Sequence, residues 1–465
     1  MASVSVVPTS LLVRQKRCDA EYYQKKYLEY DKLMDKNNWL PLKKYFTSCD
    51  YGISIKMNED SKGEKIFRMD DLKKGFAVDY NMKYADVDQN TVNRYEVKYN
   101  DVLFNRVNSE EFVGRTGIFK LKKKYIFASY LVRVKANSSI TPDVINIFLN
   151  CKFGKSSIKR LSRRAVNQAN VNAQELKSIR IPNITKKIIT NLTNLSNMSW
   201  DFYEKSNLLY DKAEKLLLHT LNFKKLKINN DITFSEKYKN VVASGRIDAE
   251  HFMPKYKSIT SHIKNYSNGY KRLIDFISVS KEKIDPKLNP AKEIKYVELS
   301  DINHLVGTIE SSSEIQGKFA PSRARMLLNE NDIIVSSVEG SFNKSAIVPD
   351  EFNKSVGSTG FFVFKSKQNQ PGYVLALIKS IFFKEQMHRE ASGTILTAVS
   401  DKSLKNILIP ILPNKTVNEI NKLIIESHKF QKKALKIFNV AKTALEIYIE
   451  KNESLSLEYI RKNIK

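Results

Sequence analysis

"RCDAEYYQKKY" at residues 17–27 is repeated as "RIDAEHFMPKY" at residues 246–256. The two stretches share an arginine, an Asp-Ala-Glu triplet, a lysine and a tyrosine, and every identity has the offset that separates Arg17 from Arg246. Further along, "LKSIRIP" at 176–182 is matched by "LKNILIP" at 404–410, at almost the same offset. Motifs that recur in one order at a nearly constant offset indicate an internal duplication, because loops absorb the insertions that shift the offset.

Each copy is predicted to be a domain of mixed strands and helices. Short β-branched and aromatic runs bounded by Asn, Asp and Gly are typical of strands, and the best candidates are 125–134 and 359–364. Thr141-Pro142-Asp143 is a helix start, since a capping residue, a proline in the first turn and an acid all favour a helix N-terminus. A short strand ending in Ile-Pro closes each domain.

A long helix with a heptad repeat is predicted after each domain. One column is large, with Leu195, Phe202, Leu209 and Leu216 in the first helix and Leu423, Phe430, Ile437 and Ala444 in the second. The column one helical turn later is mostly small, with Ser199, Ser206, Ala213 and Thr220 and then Ser427, Ala434, Ala441 and Tyr448. Small side chains let helix backbones approach closely, so the two helices are expected to pair antiparallel as a coiled coil. The large column, Ala213 and Ala441 would form the helix-pairing or partner interface. Two separate amphipathic helices, each packed on its own domain, are the alternative.

The sequence therefore predicts an α+β protein, in which two tandem mixed α/β domains alternate with two long paired helices. The expected boundaries are 1–190 for the first domain, 191–228 for the first long helix, 229–413 for a linker and the second domain, and 414–465 for the second long helix and a basic tail. A helix of nearly thirty residues spans roughly 40 Å, about one turn of DNA.

Charge is the strongest compositional feature. The 78 Lys and Arg residues against 50 Asp and Glu give a net charge of +28. This excess favours a polyanionic partner, most often nucleic acid, because neutralised phosphates release counterions. A lysine-rich proteome gives the same composition without such a partner. Three cysteines without a CxxC pair argue against a disulfide framework or a structural zinc site and favour a reducing cytosol. No signal peptide and no apolar run of membrane-spanning length is evident.

Sequence motifs for catalysis are weak or missing. No GxGxxG or P-loop pattern occurs, and "NPAK" at 289–292 lacks the second proline and the aromatic residue of an adenine methyltransferase motif. Asp285, Glu293 and Lys295 imitate a nuclease D…ExK site, but the pattern occurs in one copy only, among many other acids and lysines. The six histidines stand apart from one another and from any cysteine pair. These searches favour a protein that is not an enzyme.

The order of these elements resembles the specificity subunit of type I restriction-modification systems, with its two target-recognition domains. The resemblance is carried by "NDVLFNRVNSEEFVGRTGIF" at 100–119, "NVNAQELKSIRIP" at 170–182, "SDKSLKNILIP" at 400–410 and the two heptad helices. It covers residues 17–450, nearly the whole chain. It implies a non-catalytic, cytoplasmic bacterial or archaeal subunit that recognises a bipartite, asymmetric double-stranded DNA sequence. The implied partners are two methyltransferase subunits and motor-nuclease subunits. S-adenosylmethionine, ATP and Mg would be bound by those partners and no cofactor or metal by this chain.

Candidate DNA contacts fall into a basic segment and a set of polar loops. In "KFGKSSIKRLSRR" at 152–164, a helix would align Lys155, Lys159 and Arg163 in one stripe beside Arg160 and Arg164, suited to phosphates. Residues able to read base edges are expected in loops: Asn105, Arg106, Arg115, Asn167, Gln168 and Asn170 in the first domain, and Asn343, Lys344, His388, Arg389, Ser392 and Thr394 in the second. A solvated helix face and turn-capping side chains are the ordinary alternatives.

Three other functions remain open at this point. A related modification or defence system could use a similar subunit with another enzyme. A non-specific nucleic-acid or RNA adaptor would bind without a sequence requirement, although it would not need a duplication that keeps its register. A coiled-coil scaffold would explain the helices but leave the basic domains without a use.

Overall fold

The computed structural model describes residues 4–79, 82–165, 168–393 and 397–464. The chain divides into two compact units. The first unit consists of Met1–Tyr203 with Lys432–Lys465, and the second consists of Glu204–Gln431.

The first unit contains seven α-helices that begin before residue 203, in the part of the chain described. They are α1 Thr9–Gln15, α2 Lys25–Lys36, α3 Gln89–Tyr95, α4 Pro142–Asn150, α5 Lys152–Leu161, α6 Ala173–Ser178 and the long α7 Lys186–Thr220, which continues into the second unit. The strands are β1 Leu40–Pro41, β2 Phe46–Tyr51, β3 Glu64–Phe67, β4 Leu72–Lys73, β5 Gly75–Ala77, β6 Lys83–Ala85, β7 Val102–Asn105, β8 Val107–Asn108, β9 Thr116–Ile118, β10 Ile126–Phe127, β11 Leu131–Ala136, β12 Arg163–Ala165, β13 Gln168–Asn170 and β14 Arg180–Ile181.

The second unit has a similar order of helices and strands. Its helices are α8 Tyr238–Ser244, α9 Pro254–Lys264, α10 Leu273–Phe276, α11 Pro371–Lys379, α12 Ile381–Glu390 and the long α13 Asn414–Glu450, which continues into the first unit and is followed there by α14 Glu453–Asn463. The strands are β15 Tyr270–Arg272, β16 Ile277–Val279, β17 Glu293–Val297, β18 Ile302–Asn303, β19 Thr308–Ile309, β20 Ser313–Gln316, β21 Ala324–Leu328, β22 Ile333–Ser336, β23 Ser345–Ile347, β24 Ser355–Ser358, β25 Phe361–Ser366 and β26 Leu408–Pro410.

The central sheets of the two units have the same topology. The first has the order β2-β11-β7-β9-β5-β4 and the second β16-β25-β22-β23-β19-β18. In both sheets one pair is parallel, β5 with β9 and β19 with β23, and the other pairs are antiparallel. Matching strand order and matching strand direction confirm the mixed, duplicated fold predicted from the sequence.

One predicted strand is in fact two. The stretch 125–134 reads as one continuous strand in the sequence, but β10 and β11 belong to different sheets. Ile126–Phe127 pairs in parallel with β3, whereas Leu131 onward pairs antiparallel with β2 and β7. The backbone turns between them, where the Leu131 amide bonds back to the Ala128 carbonyl. An apolar run does not reveal that its two ends have different partners.

The first core helix of each unit is buried on almost every side. Residues 143–149 of α4 and all of α11 are buried. These two helices therefore belong to the cores of their units, and each starts with the predicted proline in its first turn.

The two long helices run antiparallel. In the first unit the Tyr448 hydroxyl accepts from the Thr185 amide at 3.3 Å, and further along α7 the Ser199 hydroxyl donates to the Ala434 carbonyl at 2.8 Å. Ala434 comes before Tyr448 in the chain, whereas Ser199 comes after Thr185, so the helix directions are opposed. In the second unit the Ser427 hydroxyl donates to the Ser206 carbonyl at 2.8 Å. The expected pair of long antiparallel helices is confirmed.

Candidate nucleic-acid interface

A small three-stranded sheet, here called the first ribbon, gathers most of the polar residues predicted after α5. It has the order β12-β13-β8, with all pairs antiparallel. Ala169 lies at its centre, opposite Arg164 on one side and Asn108 on the other. Ala169 is buried, whereas Gln168 and Asn170 are exposed. Because successive strand residues face opposite sides, both amide side chains project from the same outer face.

The second unit contains a shorter version, here called the second ribbon. Ala398 is bridged to Val338 on one side and to Ser392 on the other. The amides and carbonyls of Ser392 and Ala398 exchange two hydrogen bonds of 3.0 Å. Ala398 follows Ala169 at the same offset that separates the two copies of the opening motif. Both units therefore pair short strand segments at the equivalent point in the chain.

The exposed side chains of the ribbons have suitable chemistry for reading bases. The major groove admits a two-stranded ribbon, and Asn or Gln can bond adenine through both a donor and an acceptor. Gln168 and Asn170 present such amides, and Arg163 is exposed on the strand opposite Asn170. Ser392 is the exposed polar residue of the second ribbon. Asn167 and Thr394 lie outside the described residues, and Arg164 is described only by its backbone in β12.

The predicted basic stripe is wrong in its geometry. α5 ends at Leu161, and Arg163 lies in β12 instead of on a third helical turn. Arg163 forms an ion pair with Glu175 at 3.0 Å. Lys155 and Lys159 remain one turn apart on α5 with exposed side chains. The basic residues that recur through 152–164 gave no indication that the helix ends at Leu161.

Arg160 serves the interior of the first unit. Its side chain is only 11 % exposed and pairs with Asp31 at 2.8 Å. Its guanidinium lies 4.2 Å from the centre of the Tyr22 ring and donates to the Tyr22 carbonyl. These contacts join α5 to the repeated motif, so Arg160 is not an accessible phosphate contact.

The loop residues after β7 also build structure. Asn105 is fully buried and donates to the Phe112 carbonyl at 3.3 Å, which closes the turn. Arg106 donates to the Ser129 carbonyl at 2.9 Å, and the Arg115 guanidinium lies 3.9 Å from the centre of the Phe112 ring. Asn105 therefore offers no surface to a ligand, while Arg106 and Arg115 are half-buried.

The predicted second-unit residues have defined partners as well. Lys344 donates to the Ile302 carbonyl at 3.1 Å. The His388 Nδ1 lies 3.1 Å from Glu339, and Arg389 and Asn343 are half-buried. His388 and Arg389 occupy the last turn of α12, directly before the second ribbon. His388 and Arg389 therefore lie next to the second ribbon but are not part of its exposed face.

The sequence did not point to two further positions at this end of the first unit, the half-buried Asn108 and the exposed Tyr130. Asn108 belongs to the first ribbon, and Tyr130 is 45 % exposed in the turn before β11, where its carbonyl accepts from the Arg106 amide. The strand pairing of Ala169 with Asn108 was needed to find the former. The latter could be found only from the turn between β10 and β11, because the sequence does not mark that break.

The small column lies at the centre of the long-helix packing. Five of its members, Ser199, Ser206, Ala213, Ser427 and Ala441, have no exposed surface. Among the predicted interface residues, Leu195, Leu423, Ile437 and Ala444 are also buried, whereas Phe202, Leu209, Leu216 and Phe430 are half-buried. Close backbone approach at the small residues leaves the larger ones along the flanks.

Two flanking aromatic residues have equivalent cation–π contacts. The Lys205 ammonium lies 4.3 Å from the Phe430 ring centre in the second unit, and the Lys433 ammonium lies 5.8 Å from that of Phe202 in the first. The two lysines, like the two phenylalanines, are separated by the offset that relates the heptad columns of the two helices.

The fold defines a class of protein: a duplicated mixed α/β module with two long antiparallel helices. In the described part of the chain, no helix combines the length and the apolar character that crossing a membrane requires. No family model matches the chain.

The chain is similar to a Methanocaldococcus jannaschii protein described as "Putative type I restriction enzyme MjaX specificity subunit". The two are 24 % identical over 177 residues, which is 37 % of this chain and 41 % of that protein. The match thus spans about two-fifths of the relative's length. It confirms the resemblance to type I specificity subunits predicted from the sequence.

Two solved structures align along most of the chain. The S subunit of a type I restriction-modification system from M. genitalium covers 90 % of this chain and 95 % of its own, with 13 % identity and a TM-score of 0.38. The HsdS subunit from Thermoanaerobacter tengcongensis covers 92 % of this chain and 97 % of its own, with 10 % identity and a TM-score of 0.27.

Proposed function

We propose that the chain is the DNA-sequence specificity subunit of a type I restriction-modification complex. The observation that carries this proposal is the repeated ribbon, with Ala169 and Ala398 at equivalent positions in two units of the same topology. Two diverged copies of a reading element are suited to two different half-sites. The net charge of +28 supports a nucleic-acid partner.

Each ribbon would read one half of a bipartite, asymmetric target. Exposed lysines such as Lys155 and Lys159 would bond phosphates and fix the orientation, and the ribbon side chains would discriminate bases. Gln168 and Asn170 are the base readers best supported in the first unit, because both amides are exposed on one face.

The long helices would attach the catalytic partners. In this proposal two methyltransferase subunits, and motor-nuclease subunits with them, assemble on the subunit in the cytoplasm and bring S-adenosylmethionine, ATP and Mg. This chain would supply sequence recognition and no catalytic residue. Among the described residues no group of three or more His, Cys, Asp or Glu side chains is arranged to hold a metal ion.

Adenine-methylation sequencing of the host genome, with and without this gene, tests the proposal. Loss of one split, asymmetric motif on deletion would support it and give both half-sites. An unchanged methylome in a host that expresses the methyltransferase and this subunit would contradict it.

Two other functions give different results. A specificity subunit of a related defence system would show sequence-selective DNA binding but a modification other than adenine methylation. A non-specific adaptor would bind duplexes or RNA with similar affinity whatever their sequence.

Replacing residues 20–185 by the corresponding domain of a relative should change one half of the motif only.

A further inference from the structure

The arginine that opens the repeated motif is held in the same way in both units. The Arg17 guanidinium forms two hydrogen bonds with the Asp19 carboxylate, from Nε at 2.6 Å and from Nη2 at 2.7 Å. Arg246 forms the matching pair with Asp248, with Nε at 2.8 Å from Oδ1 and Nη2 bonded to Oδ2. A bidentate pair fixes the plane of the guanidinium as well as its position.

The remaining N–H groups of each guanidinium face the end of the helix that precedes the ribbon. Arg17 Nη1 lies 3.4 Å from the carbonyl oxygen of Leu161, the last residue of α5. Arg246 donates to the Ala391 carbonyl at 3.0 Å, directly after α12, and lies 3.4 Å from that of Arg389. The last carbonyls of a helix lack intrahelical partners and favour a nearby cation.

Each contact falls at the junction between helix and ribbon. The first ribbon begins at Arg163, shortly after Leu161, and Ser392 of the second ribbon directly follows Ala391. In the second unit His251 adds a contact of 2.8 Å from Nδ1 to the Arg389 carbonyl. The hydrogen bond from Arg17 lowers the pKa of the Asp19 carboxyl, and Arg246 does the same for Asp248, so both pairs stay charged at neutral pH.

We propose that Arg17–Asp19 and Arg246–Asp248 are positioning pairs that set the orientation of the first and second ribbons, respectively. Each pair controls how well its own unit discriminates bases and leaves the other unit unaffected. The inference rests on the proposed function for the DNA part, while the positioning itself can be measured without DNA. It also gives a reason for the recurrence of the R-x-D-A-E motif, which contains no base-reading ribbon residue.

Hydrogen exchange of the full chain tests the positioning. Arg17→Gln should raise the exchange of amides 162–170 about tenfold or more and leave 391–399 unchanged, and Arg246→Gln should do the reverse. If an arginine variant unfolds its unit, Asp19→Asn or Asp248→Asn takes its place. These variants keep the arginine and should raise the exchange of the same ribbon amides. Arg272→Gln is the matched control, because Arg272 at the end of β15 forms an exposed bidentate pair with Asp275 of α10, outside both ribbons. Unchanged exchange in the substituted unit's own ribbon would overturn the inference.

Methylome sequencing of hosts carrying these variants tests the effect on discrimination. Arg17→Gln should relax one half-site, with at least a tenfold rise in modification of near-cognate sequences, and Arg246→Gln should relax the other. Equal relaxation of both halves by either variant, or local opening without relaxation, would overturn the inference. If the wild-type subunit directs no motif at all, the proposed function fails, and the role in discrimination fails with it. The exchange data then still decide whether the pairs hold the ribbons.

Discussion

The Ser199 hydroxyl donates a 2.8 Å hydrogen bond to the backbone carbonyl of Ala434, and both residues are buried. The duplication places Ser427 at the position of Ser199 and Ser206 at that of Ala434, and Ser427 donates the same 2.8 Å bond to the Ser206 carbonyl. Each unit thus contains one copy of the same hydrogen bond between the two long helices. A serine side chain is small enough to fit between two backbones that lie this close together.

Enlarging this serine should destabilise its unit more than deleting the hydroxyl. Ser199→Leu and Ser427→Leu are expected to lower the free energy of unfolding by at least about 1–3 kcal/mol, because a leucine overpacks a site with no free volume. Ser199→Ala and Ser427→Ala are the matched controls and should cost about 1 kcal/mol or less. Chemical denaturation followed by circular dichroism measures both, and equal effects of Leu and Ala would show that the helices are not closely packed there.

Gly75 should not tolerate a side chain. Its φ is +86°, and an added Cβ atom would overlap the Phe438 ring, so Gly75→Ala combines backbone strain with a clash. Gly269 also has positive φ, +79°, but nothing lies within 4 Å of the point that its Cβ would occupy. Gly269→Ala therefore isolates the strain, about 1 kcal/mol. Gly75→Ala is expected to cost about 1–3 kcal/mol more, measured as the shift in denaturation midpoint. An equal cost at the two sites would contradict the contact with Phe438.

The second unit should gain stability as the pH rises above neutral. Burial lowers the pKa of the Lys379 ammonium to about 7, with Lys384 adding repulsion. The unfolded state keeps its usual lysine pKa near 10.4, so between about pH 7 and 10 it binds the extra proton. The free energy of unfolding then rises by up to about 1.4 kcal/mol for each pH unit. Below pH 7 the full cost of burying the charged Lys379 ammonium is present.

Lys379→Met should remove this pH dependence. The variant loses the bond to the His304 carbonyl, but its stability relative to wild type should improve as the pH falls from 10 to 7. Lys367→Met is the control, because the Lys367 ammonium also donates to a backbone carbonyl, that of Ile274, from an exposed position. Denaturation curves at several pH values give the slopes. Parallel curves for wild type and Lys379→Met would rule out a neutral lysine.

Which features of the structure can be predicted from the sequence depends on whether the contacts behind them are local in the chain. The constant offset between the two copies, the proline at the start of α4 and the heptad columns can all be read along the chain, and they are sufficient for the duplicated fold and the long helices. The end of α5 at Leu161 cannot be predicted, because the basic and polar residues of 159–164 are compatible with helix and strand alike. The ribbon depends on pairing between β8 and β13, which are far apart in the chain, and only the folded chain reveals that pairing.

Basic residues on α5 should separate into binding and structural groups. Lys155→Ala with Lys159→Ala removes two exposed cations and should weaken binding to duplexes of any sequence, lowering the slope of log K against log salt by about 1 per lysine. Arg160→Ala should destabilise the first unit, because it leaves Asp31 and the Tyr22 carbonyl without this partner.

The matched control for the α5 lysines is Lys186→Ala with Lys187→Ala, two exposed residues in the first turn of α7 that remove the same net charge. Fluorescence anisotropy across a salt series measures the slopes, and thermal unfolding measures the stability. The same salt slope for both double variants would mean that α5 does not touch phosphates.

The exposed amides of the first ribbon should govern one half-site alone. Gln168→Ala and Asn170→Ala each remove a side chain that can bond a base edge twice, so discrimination at one position should fall by about 1–3 kcal/mol, roughly ten- to a hundredfold. Neither side chain supports the core, since only Ala169 between them is buried, and thermal stability should be unchanged. Gln174→Ala, which truncates an exposed glutamine on α6 of the same unit, is the control and should leave the motif intact. Binding to duplexes that differ at single positions of the two half-sites gives the result. If both amides can be removed without relaxing any position, the first ribbon does not read bases. If instead affinity falls equally for all sequences, the ribbon contacts only the DNA backbone, and base discrimination must come from another part of the unit.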